Sequence, residues 1–175
     1  MKLPVLETER LILREHRLGD FPAHAALWAD PVVTAQIGVA PRTAEESWMN
    51  FLNRPGTWEY MGYGFWAVEE KASGQFIGAM GFIHAHRDIP IACVGAPEIG
   101  WGLARAHHRK GYAGEGTAAV SAWGDANLTS PLTWCIIDPA NVPSRKVAEK
   151  LGYRQTCEAP YKGRAVTVFE RTRPA

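Results

Sequence analysis

The sequence predicts one domain of the mixed α/β class over residues 1–175. Its length of 175 residues is typical of a single domain with a sizeable core. Apolar residues recur with a period of two in some segments and with a period near 3.6 in others. The resulting order is strand, two or three helices, three strands, helix, strand, helix and two strands. That order places about seven strands in one mixed sheet flanked by helices, and it is not a regular βαβ repeat.

The composition argues against several classes of function. Lys and Arg number 19 and Asp and Glu number 18, so the net charge is +1 and nothing favours nucleic-acid binding. We find no apolar run of about 20 residues and no signal-peptide pattern, so we expect no membrane association. Cys93, Cys135 and Cys157 form an odd set without C-x-x-C spacing. They predict reduced thiols in a cytoplasmic protein rather than a disulfide framework or a zinc site.

The amino-terminal part is predicted to be one strand followed by two helices. Partial alternation of apolar residues predicts a strand over 6–14. Asp20 can cap a helix that ends near Asp30, because a proline follows and disfavours helical geometry in the residue before it. A short second helix is expected over 31–36, and 37–42 is expected to be a loop.

The third helix has a clear start signal. Thr43 and Glu46 form a capping-box pattern, in which each side chain satisfies a backbone donor of the first turn. Pro55-Gly56 is expected to end this helix, because proline removes a hydrogen bond and clashes with the preceding turn. Two strands joined by a hairpin turn are predicted next, over 64–70 and 75–84.

The remaining elements follow from apolar runs with glycine or proline at their boundaries. The segment 87–96 holds prolines and a glycine and is predicted to be mostly loop. Leu132–Ile137 is apolar without alternation, which is typical of a strand covered on both faces of a sheet. The other predicted elements are a strand over 97–103, helices over 113–127 and 143–151, and final strands over 153–158 and 165–171.

The turn over 107–116 joins the predicted fourth strand to a helix, and it suits a phosphate group. Such a turn leaves backbone N–H groups of the helix start unpaired, and the helix dipole adds positive charge there. Arg109 and Lys110 add formal charge. Gly111, Gly114 and Gly116 run as G-x-x-G-x-G, which is not the dinucleotide fingerprint, and the Gly-Lys-Ser/Thr of a P-loop is missing. An ordinary strand-to-helix turn is the alternative interpretation.

A third phosphate-binding pattern fits this turn. The order of strand, basic turn, Gly111-x-Ala113 and helix resembles the acyl-CoA pyrophosphate loop of the GNAT N-acetyltransferases, written Q/R-x-x-G-x-G/A. His108 stands at the Q/R position, which removes a fixed positive charge at neutral pH. The run Lys110-Gly111-Tyr112-Ala113-x-Glu115 most resembles the branch that includes the ribosomal-protein N-terminal acetyltransferases.

Three further segments resemble the same branch. They are Leu6-Glu7-Thr8-Glu9-Arg10-Leu11-Ile12-Leu13-Arg14, Glu98-Ile99-Gly100-Trp101, and Asn141-x-x-Ser144 followed by Glu149-Lys150-Leu151-Gly152-Tyr153. Because the four pieces occur in the family's order and spacing, the resemblance covers nearly all of the chain.

The resemblance implies a fold, a cosubstrate and a reaction. The fold is a central sheet that splays between its fourth and fifth strands, and acetyl-CoA would bind in that cleft. The reaction is direct transfer of the acetyl group to a primary amine, either a protein N-terminal amine or a small-molecule amine. The residues that match the family's cofactor contacts are Ile99, Gly100, Trp101, Gly102, Leu103, His108, Arg109, Lys110, Gly111, Tyr112, Ala113, Gly114, Asn141, Ser144 and Arg145.

Two residues are expected to transfer protons. Glu98 begins the fourth strand, where the amine should arrive, and would act as a base directly or through a water. Ser144 would donate a proton to the departing thiolate, a role for which Tyr153 is a weaker candidate. The alternative interpretations are a solvated strand residue for Glu98, a turn-shaping role for Asn141 and a simple helix start for Ser144. No covalent cysteine intermediate is expected, because no cysteine lies at the acetyl end.

Several alternatives stay open at the level of sequence. An acyl-CoA-binding module that senses the cofactor without turnover is the alternative to an enzyme, and either a monomer or a homodimer is compatible. His84, His86 and the pair His107-His108 lack a carboxylate or cysteine at metal spacing, so no metal site is expected. Acceptor specificity is expected to lie in 37–42, 58–63 and 84–96.

Overall fold

A computed structural model of the chain describes residues 3–174, and these residues form one sheet with helices packed on it. The strands and α-helices are β1 Leu6–Glu7, β2 Leu11–Arg14, α1 Phe21–Ala29, α2 Pro31–Ile37, α3 Ala44–Met61, β3 Phe65–Glu70, β4 Gln75–Ile83, β5 Glu98–Leu103, α4 Tyr112–Asn127, β6 Leu132–Ile137, α5 Val142–Lys150, β7 Arg154–Tyr161 and β8 Arg164–Thr172. Short 3₁₀ turns occur at Leu18–Asp20, Ala92–Gly95 and Arg105–His107. The predicted mixed α/β class is confirmed.

The sheet divides at a single junction. Its strand order is β1-β2-β3-β4-β5-β6-β8-β7, and all neighbours are antiparallel except β5 and β6. β5 pairs with β4 along its whole length, from Gly78↔Leu103 to Ile83↔Glu98. By contrast, the parallel ladder between β5 and β6 has one pair, Glu98↔Trp134. The two strands therefore diverge beyond Glu98, which confirms the splay expected between the fourth and fifth predicted strands.

The sheet has eight strands rather than the predicted seven, because the first predicted strand folds back on itself. β1 and β2 form a small hairpin in which Leu6 pairs with Leu13. The Thr8 hydroxyl closes the turn by accepting from the backbone N–H of Leu11 at 3.0 Å. Glu115 of α4 accepts from the Thr8 hydroxyl at 2.6 Å and from the backbone N–H of Arg10 at 2.8 Å. The backbone N–H groups of Arg10 and Leu11 are bound by Glu115 and Thr8, so residues 6–14 do not form one continuous strand.

The capping box at the start of α3 is confirmed, but the predicted end at Pro55 is wrong. Thr43 accepts from the backbone N–H of Glu46 at 3.2 Å, and the Glu46 carboxylate accepts from that of Thr43 at 2.8 Å. The helix continues through Pro55 to Met61 and ends at Gly62, whose φ of 72° is left-handed. The last turns carry the buried Trp58, whose ring packs edge-on against Trp66 with centroids 4.6 Å apart. That packing offsets the hydrogen bond lost at the proline.

We expected the Asp20 side chain to cap α1, but it makes no capping hydrogen bond there. Its carboxylate instead accepts from both Nη atoms of Arg14 at 2.8 Å and from the backbone N–H of Arg17 at 2.7 Å. Arg14 also donates from Nε to Glu69 at 2.6 Å. The buried guanidinium of Arg14 is thus held by two carboxylates, where β2 meets α1 and β3.

Two apolar clusters fill the molecule. The larger one includes Leu11, Leu13, Trp66, Val68, Met80, Phe82, Ile99, Val120, Cys135, Ile137 and Phe169, and joins the sheet to α4 and α5. The smaller one includes Ile89, Cys93, Trp134, Ala159, Val166 and Val168, and places the 84–97 segment against β6 and the β7–β8 hairpin. Packed apolar side chains therefore lie on both sides of the cleft between β5 and β6.

Candidate active site

The cleft between β5 and β6 exposes one edge of β5. Beyond the Glu98↔Trp134 pair, Ile99 to Leu103 have β4 as a partner but not β6, so backbone groups on the second edge remain free for a ligand. Gly100 and Gly102 lie in this stretch, and Trp101 lies between them. A Cβ on Gly100 would come 2.9 Å from the Phe65 ring. A side chain at Gly100 would therefore force the Phe65 ring to shift, whatever the ligand.

The turn before α4 presents positive charge and unpaired amides beside the open end of the cleft. Gly111 is the N-cap of α4, has a φ of 83°, and provides no side chain to cap the helix. Arg109 also adopts a positive φ of 61°, and both Arg109 and Lys110 are exposed. A Cβ on Gly114 would meet no atom within 4 Å, so the first turn of α4 is open. These features fit an anion such as a pyrophosphate.

His108 holds this turn to the end of β5. Its Nε2 atom lies 2.8 Å from the carbonyl oxygen of Leu103, and its backbone N–H donates to Arg105 at 3.1 Å. The imidazole therefore orients the turn. Its ring is directed toward Leu103 and not outward, where a charged side chain would contact a ligand. This role accounts for a histidine at a position where the sequence pattern leads one to expect Gln or Arg.

The back of the same turn is fixed to β2 and β3. The Tyr112 hydroxyl donates to Glu70 at 2.6 Å, and that hydrogen bond raises the pKa of Tyr112. Arg10 lies over the Tyr112 ring at 4.5 Å and pairs with Glu115 at 2.6 Å. The side chain of Tyr112 is thus occupied in the interior, and only its backbone N–H is directed toward a ligand at the helix start.

Glu98 is buried at the junction of β5 and β6, so the alternative of a solvated strand residue is wrong. Its side chain is 6% exposed, and its two oxygens accept from Arg87 Nε at 2.6 Å and Nη2 at 2.8 Å. Arg87 also donates from Nη1 to the Tyr161 hydroxyl at 2.8 Å. Burial raises the pKa of Glu98, and the Arg87 guanidinium opposes that rise. Sequence reasoning missed both Arg87 and Tyr161, because they come from a loop and a hairpin far apart in the chain.

Asn141 and Ser144 lie where β6 leads into α5. The Asn141 side-chain oxygen accepts from the backbone N–H of Ser144 at 3.1 Å, so Asn141 caps α5. Its amide nitrogen donates to the carbonyl of Gln36 at 2.9 Å. The Ser144 side chain is half-buried at the helix start. Arg145 donates over 3.4 Å to Pro139 and over 3.3 Å to Gln155, two long contacts that leave it largely free.

The end of α2 crosses the cleft from one half of the sheet to the other. Ile37 Cδ1 lies 3.4 Å from the position that a Cβ on Gly102 would take, on β5. Gln36 is bound by Asn141 beyond β6, and the carbonyl of Gly38 accepts from Arg164 of the β7–β8 hairpin. We refer to residues 36–38 as the α2 bridge. It limits the cleft on the face of β5 that carries Glu98 and Gly100.

Tyr153, Cys93 and Cys135 are buried and are poorly suited to proton transfer or nucleophilic attack. Tyr153 is 2% exposed, its hydroxyl lies 2.7 Å from that of Thr133, and burial raises its pKa. Burial also raises the pKa of Cys135 well above its usual range and that of Cys93 to about 12. Both thiols are protonated at neutral pH and lack the thiolate that a nucleophile requires. Cys157 is exposed, and all three cysteines are free.

A group of buried polar residues on the α1–α3 side was not identified from sequence. Arg54 is its centre, and it is 8% exposed on the inward face of α3. The detectable signal was the spacing of Ser47, Phe51, Arg54 and Trp58, which places a charged residue in an apolar helical stripe.

Residues 3–174 contain neither a metal-binding cluster nor a membrane-spanning helix. No three His, Cys, Asp or Glu side chains within that range come together closely enough to hold a metal ion. The helices of the same range include none with the length and apolar character needed to cross a membrane.

Comparisons with known proteins agree with this geometry. A family model described as an acetyltransferase (GNAT) domain matches residues 10–154. The uncharacterized protein YkkB of Bacillus subtilis (strain 168) is 30% identical over 148 residues, which span 83% of this chain and 81% of that protein. A putative GnaT-family acetyltransferase from Bordetella pertussis has 28% identity and a TM-score of 0.84, with 97% of this chain and 100% of that chain covered.

A more distant solved structure shares the fold alone. It is the spermidine N-acetyltransferase from Vibrio cholerae in complex with CoA and spermine, with 17% identity and a TM-score of 0.74. The match covers 95% of this chain and 97% of that chain.

Proposed function

The chain belongs to the GNAT acetyltransferase family, and from that premise we propose that it transfers an acetyl group from acetyl-CoA to a primary amine. The observation that carries the proposal is the open edge of β5 directly before the uncapped start of α4. A related fold has been solved with CoA bound, in the spermidine N-acetyltransferase. We further propose a cytoplasmic location, which three free cysteines favour.

The proposed binding mode assigns each part of the cofactor to one part of the cleft. The backbone groups on the open edge of β5, apart from the Leu103 carbonyl that His108 contacts, would hydrogen-bond the pantetheine amides. The amides after Gly111, at the start of α4, would bind the pyrophosphate, with Arg109 and Lys110 adding charge. Arg145, whose protein contacts are long, would reach the 3′-phosphate. Asn141 would serve the site by holding α5 and the α2 bridge in place.

The proposed chemistry is direct attack by the amine. Glu98 would accept a proton from the ammonium form of the acceptor, directly or through a water, while Arg87 keeps its carboxylate oriented. The amine nitrogen would then bond to the acetyl carbon as the carbon–sulfur bond breaks. Ser144 would give its proton to the leaving thiolate and would regain one, directly or through a water, from the nitrogen, which loses its second proton as the amide forms. Backbone N–H groups on the open edge of β5 would stabilise the negative charge that develops on the carbonyl oxygen.

The acceptor is a protein N-terminal amine or a small-molecule amine. A non-catalytic acyl-CoA sensor is the second candidate, and one observation favours it: both oxygens of Glu98 are already occupied by Arg87. A sensor would bind acetyl-CoA but release no free thiol in the presence of any amine. Thiol release with an amine panel therefore separates the two functions.

The first experiment is calorimetric titration of the protein with acetyl-CoA and, in parallel, with dephospho-CoA. We expect micromolar binding of acetyl-CoA and weaker binding of the form without the 3′-phosphate. The Arg145→Met variant should bind both forms equally if Arg145 makes that contact. Absence of binding by acetyl-CoA would overturn the proposed function.

Gly111→Val tests the phosphate-binding turn. Valine at a φ of 83° is strained and would displace the amides at the start of α4, so affinity for acetyl-CoA should fall by at least about 100-fold, or about 2.7 kcal/mol. Gly74→Val is the matched control, since Gly74 also has a positive φ, of 66°, and open space around it, but lies in the β3–β4 hairpin turn. Equal affinities of the two variants would refute the assignment of the turn.

A further inference from the structure

Five buried polar atoms without a hydrogen-bond partner occur together between α1, α3 and the sheet. They are His16 Nε2, His24 Nε2, Arg42 Nη1, Ser47 Oγ and Arg54 Nε, out of six such atoms among residues 3–174. The residues that carry them are here called the Arg54 cluster. Buried polar groups are normally paired, because each unpaired group costs free energy. A concentration of five at one place indicates that the missing partners come from outside the chain, as ordered water or as a ligand.

The cluster is contiguous in space. The rings of His16 and His24 lie 6.3 Å apart, and each packs against Phe51 of α3, at 5.7 and 5.2 Å. The charge of Arg54 acts on both imidazoles, and the charge of Arg42 acts on Arg54. Ser47 lies one helical turn before Phe51 on the buried face of α3.

Within residues 3–174, Arg54 is a buried arginine that forms no ion pair with a carboxylate. Its contacts within the described residues are the Asn50 side-chain oxygen, at 3.2 Å from Nη2, and the Phe65 ring, 4.6 Å from Cζ. Burial lowers the pKa of Arg54 to about 10, with a further contribution from Arg42, and the group is still charged at pH 7. Because an unpaired buried charge is unfavourable, its retention points to a negatively charged partner.

Arg42 adds a second guanidinium nearer the surface. Its Cζ lies 3.9 Å from the centroid of the Trp28 ring, and its backbone N–H donates to the Trp28 carbonyl at 2.8 Å. Two carboxylates act on the cluster from outside, but both have other partners. Asp20 is held by Arg14, and Glu46 caps α3. Neither the Arg42 nor the Arg54 guanidinium forms an ion pair within residues 3–174, whereas Asp20 and Glu69 are both paired with Arg14.

The imidazoles do not add to the charge of these two arginines. Burial lowers the pKa of His16 to about 3 and that of His24 to about 4, with the Arg54 charge acting in the same direction. Both rings are neutral at pH 7, and a neutral ring nitrogen can donate to an oxygen if the tautomer places a hydrogen there. The Ser47 hydroxyl is a further donor.

The Arg54 cluster adjoins the acceptor side of the cleft. The Phe65 ring on which Arg54 lies is the same ring that approaches Gly100 of β5. Gly100 shares its face of β5 with Glu98, two residues away. Arg42 follows the α2 bridge, which contacts Gly102. The positive charge is therefore placed behind the point where the amine would meet the acetyl group.

We propose that Arg54 and Arg42 bind a carboxylate of the acceptor, so that the substrate is an amine that also carries a carboxylate group. Guanidinium groups bind carboxylates through charge-assisted hydrogen bonds, and Nε of Arg54 and Nη1 of Arg42 are donors without a partner. This inference rests on the proposed acetyltransferase function, which it extends by naming the chemical class of acceptor.

The test is a set of matched amines assayed by release of the CoA thiol. Phenylalanine is compared with phenylalaninamide and phenethylamine, and β-alanine and 4-aminobutyrate are compared with propylamine and butylamine, which changes the distance between amine and carboxylate. O-phosphoethanolamine supplies a phosphate instead. The best carboxylate should exceed its neutral partner by about 10- to 100-fold in kcat/KM, the range of a charge-assisted hydrogen bond.

Arg54→Met, which keeps length but removes charge, is the decisive variant. It should abolish the preference for the carboxylate compounds, so that the ratio of kcat/KM between each carboxylate amine and its neutral partner falls to near one. Its midpoint of thermal unfolding should be unchanged or higher, since an unpaired buried charge has been removed. A merely structural arginine would lower the midpoint and reduce all activities equally, and that result would overturn the inference.

The remaining outcomes also decide the question. Equal rates for charged and neutral amines would overturn the inference and leave the acetyltransferase function intact. A clear preference for O-phosphoethanolamine would overturn the carboxylate assignment. If no amine is turned over, thermal stabilisation of the protein–CoA complex by the carboxylate compounds is measured. If the carboxylate compounds stabilise the complex and Arg54→Met removes that stabilisation, the carboxylate site is supported even without turnover. If they do not stabilise the complex, the inference is overturned.

Discussion

Arg14 and Arg54 are both buried, on neighbouring elements of the same half of the molecule, but their surroundings are opposite. Arg14 makes paired hydrogen bonds to Asp20 and a third to Glu69. Arg54 has one amide and one aromatic ring. A buried charge with its counter-charges inside the chain serves the fold. A buried charge without such counter-charges lowers stability. The lack of counter-charges at Arg54 therefore marks the place where an external group is expected to bind.

The largest effect expected is on stability, and it contrasts the two arginines directly. Arg14→Met should lower the free energy of unfolding by about 3–5 kcal/mol, because it leaves Asp20 buried without its partner. Arg54→Met should change it by less than about 1 kcal/mol or increase it. Urea unfolding of the two variants and the parent protein measures both values. Similar losses of unfolding free energy in both variants would show that Arg54, like Arg14, has a stabilising partner within the chain.

A second contrast lies within the cleft, where Arg87 and Glu98 form a paired charge beside the reacting groups. If Glu98 is the base, Glu98→Gln should lower kcat by at least about 100-fold with little change in KM, and the acidic limb of the pH profile should disappear. Arg87→Gln is the matched variant. It should keep that limb but move it to higher pH, since removal of the guanidinium leaves burial to raise the pKa of Glu98.

Steady-state rates between pH 5 and 9 separate these outcomes, with thermal unfolding as a check on folding. If Glu98 is only the partner of Arg87, both variants should lose stability alike and keep the parent pH profile.

The smallest effect expected is the pH dependence that comes from the Arg54 cluster. His24 has a folded pKa of about 4, below its unfolded value near 6.5, so the unfolded state binds the proton first. Stability from this residue is complete above pH 6.5 and is lost as pH falls toward 4, by about 1–3 kcal/mol. His24→Gln should flatten that part of the stability curve, measured by urea unfolding at each pH. An unchanged slope would mean that the ring is not desolvated.

The sequence was sufficient for those parts of the fold that depend on local patterns. The capping box of Thr43 and Glu46, the hairpin between β3 and β4 and the apolar strand Leu132–Ile137 are confirmed. The family, identified from four motifs, is confirmed as well. Each of these depends on spacing within a few residues, which periodicity and turn chemistry capture.

The errors concern places where distant contacts override local preference. Pro55 does not end α3, because Trp58 packs into the core one turn later. The first strand is broken at Thr8 and Arg10 by Glu115, a residue more than 100 positions away. No local pattern contains that information.

The site was predicted only in part for the same reason. The β5 segment and the turn at Gly111 were identified, and their assignment to the cofactor stays a prediction. The Arg87 partner of Glu98 and the Arg54 cluster were missed, since their members come from separate loops and helices. The one sequence signal for Arg54 is the spacing of four, three and four residues between Ser47, Phe51, Arg54 and Trp58 on α3, and it was not recognised.

The junction of β5 and β6 has a consequence for how the protein moves. One ladder pair joins two well-connected halves, and the side chain and backbone of Trp134 add bonds to the Ala96 and Pro97 carbonyls, at 2.8 and 3.2 Å. Few hydrogen bonds therefore join the two halves of the sheet, and the packing of the larger apolar cluster makes the other connection between them. Amide hydrogen exchange should divide the molecule into two protected units that open with different free energies. The domain can then loosen along the line where its ligand enters without unfolding either half.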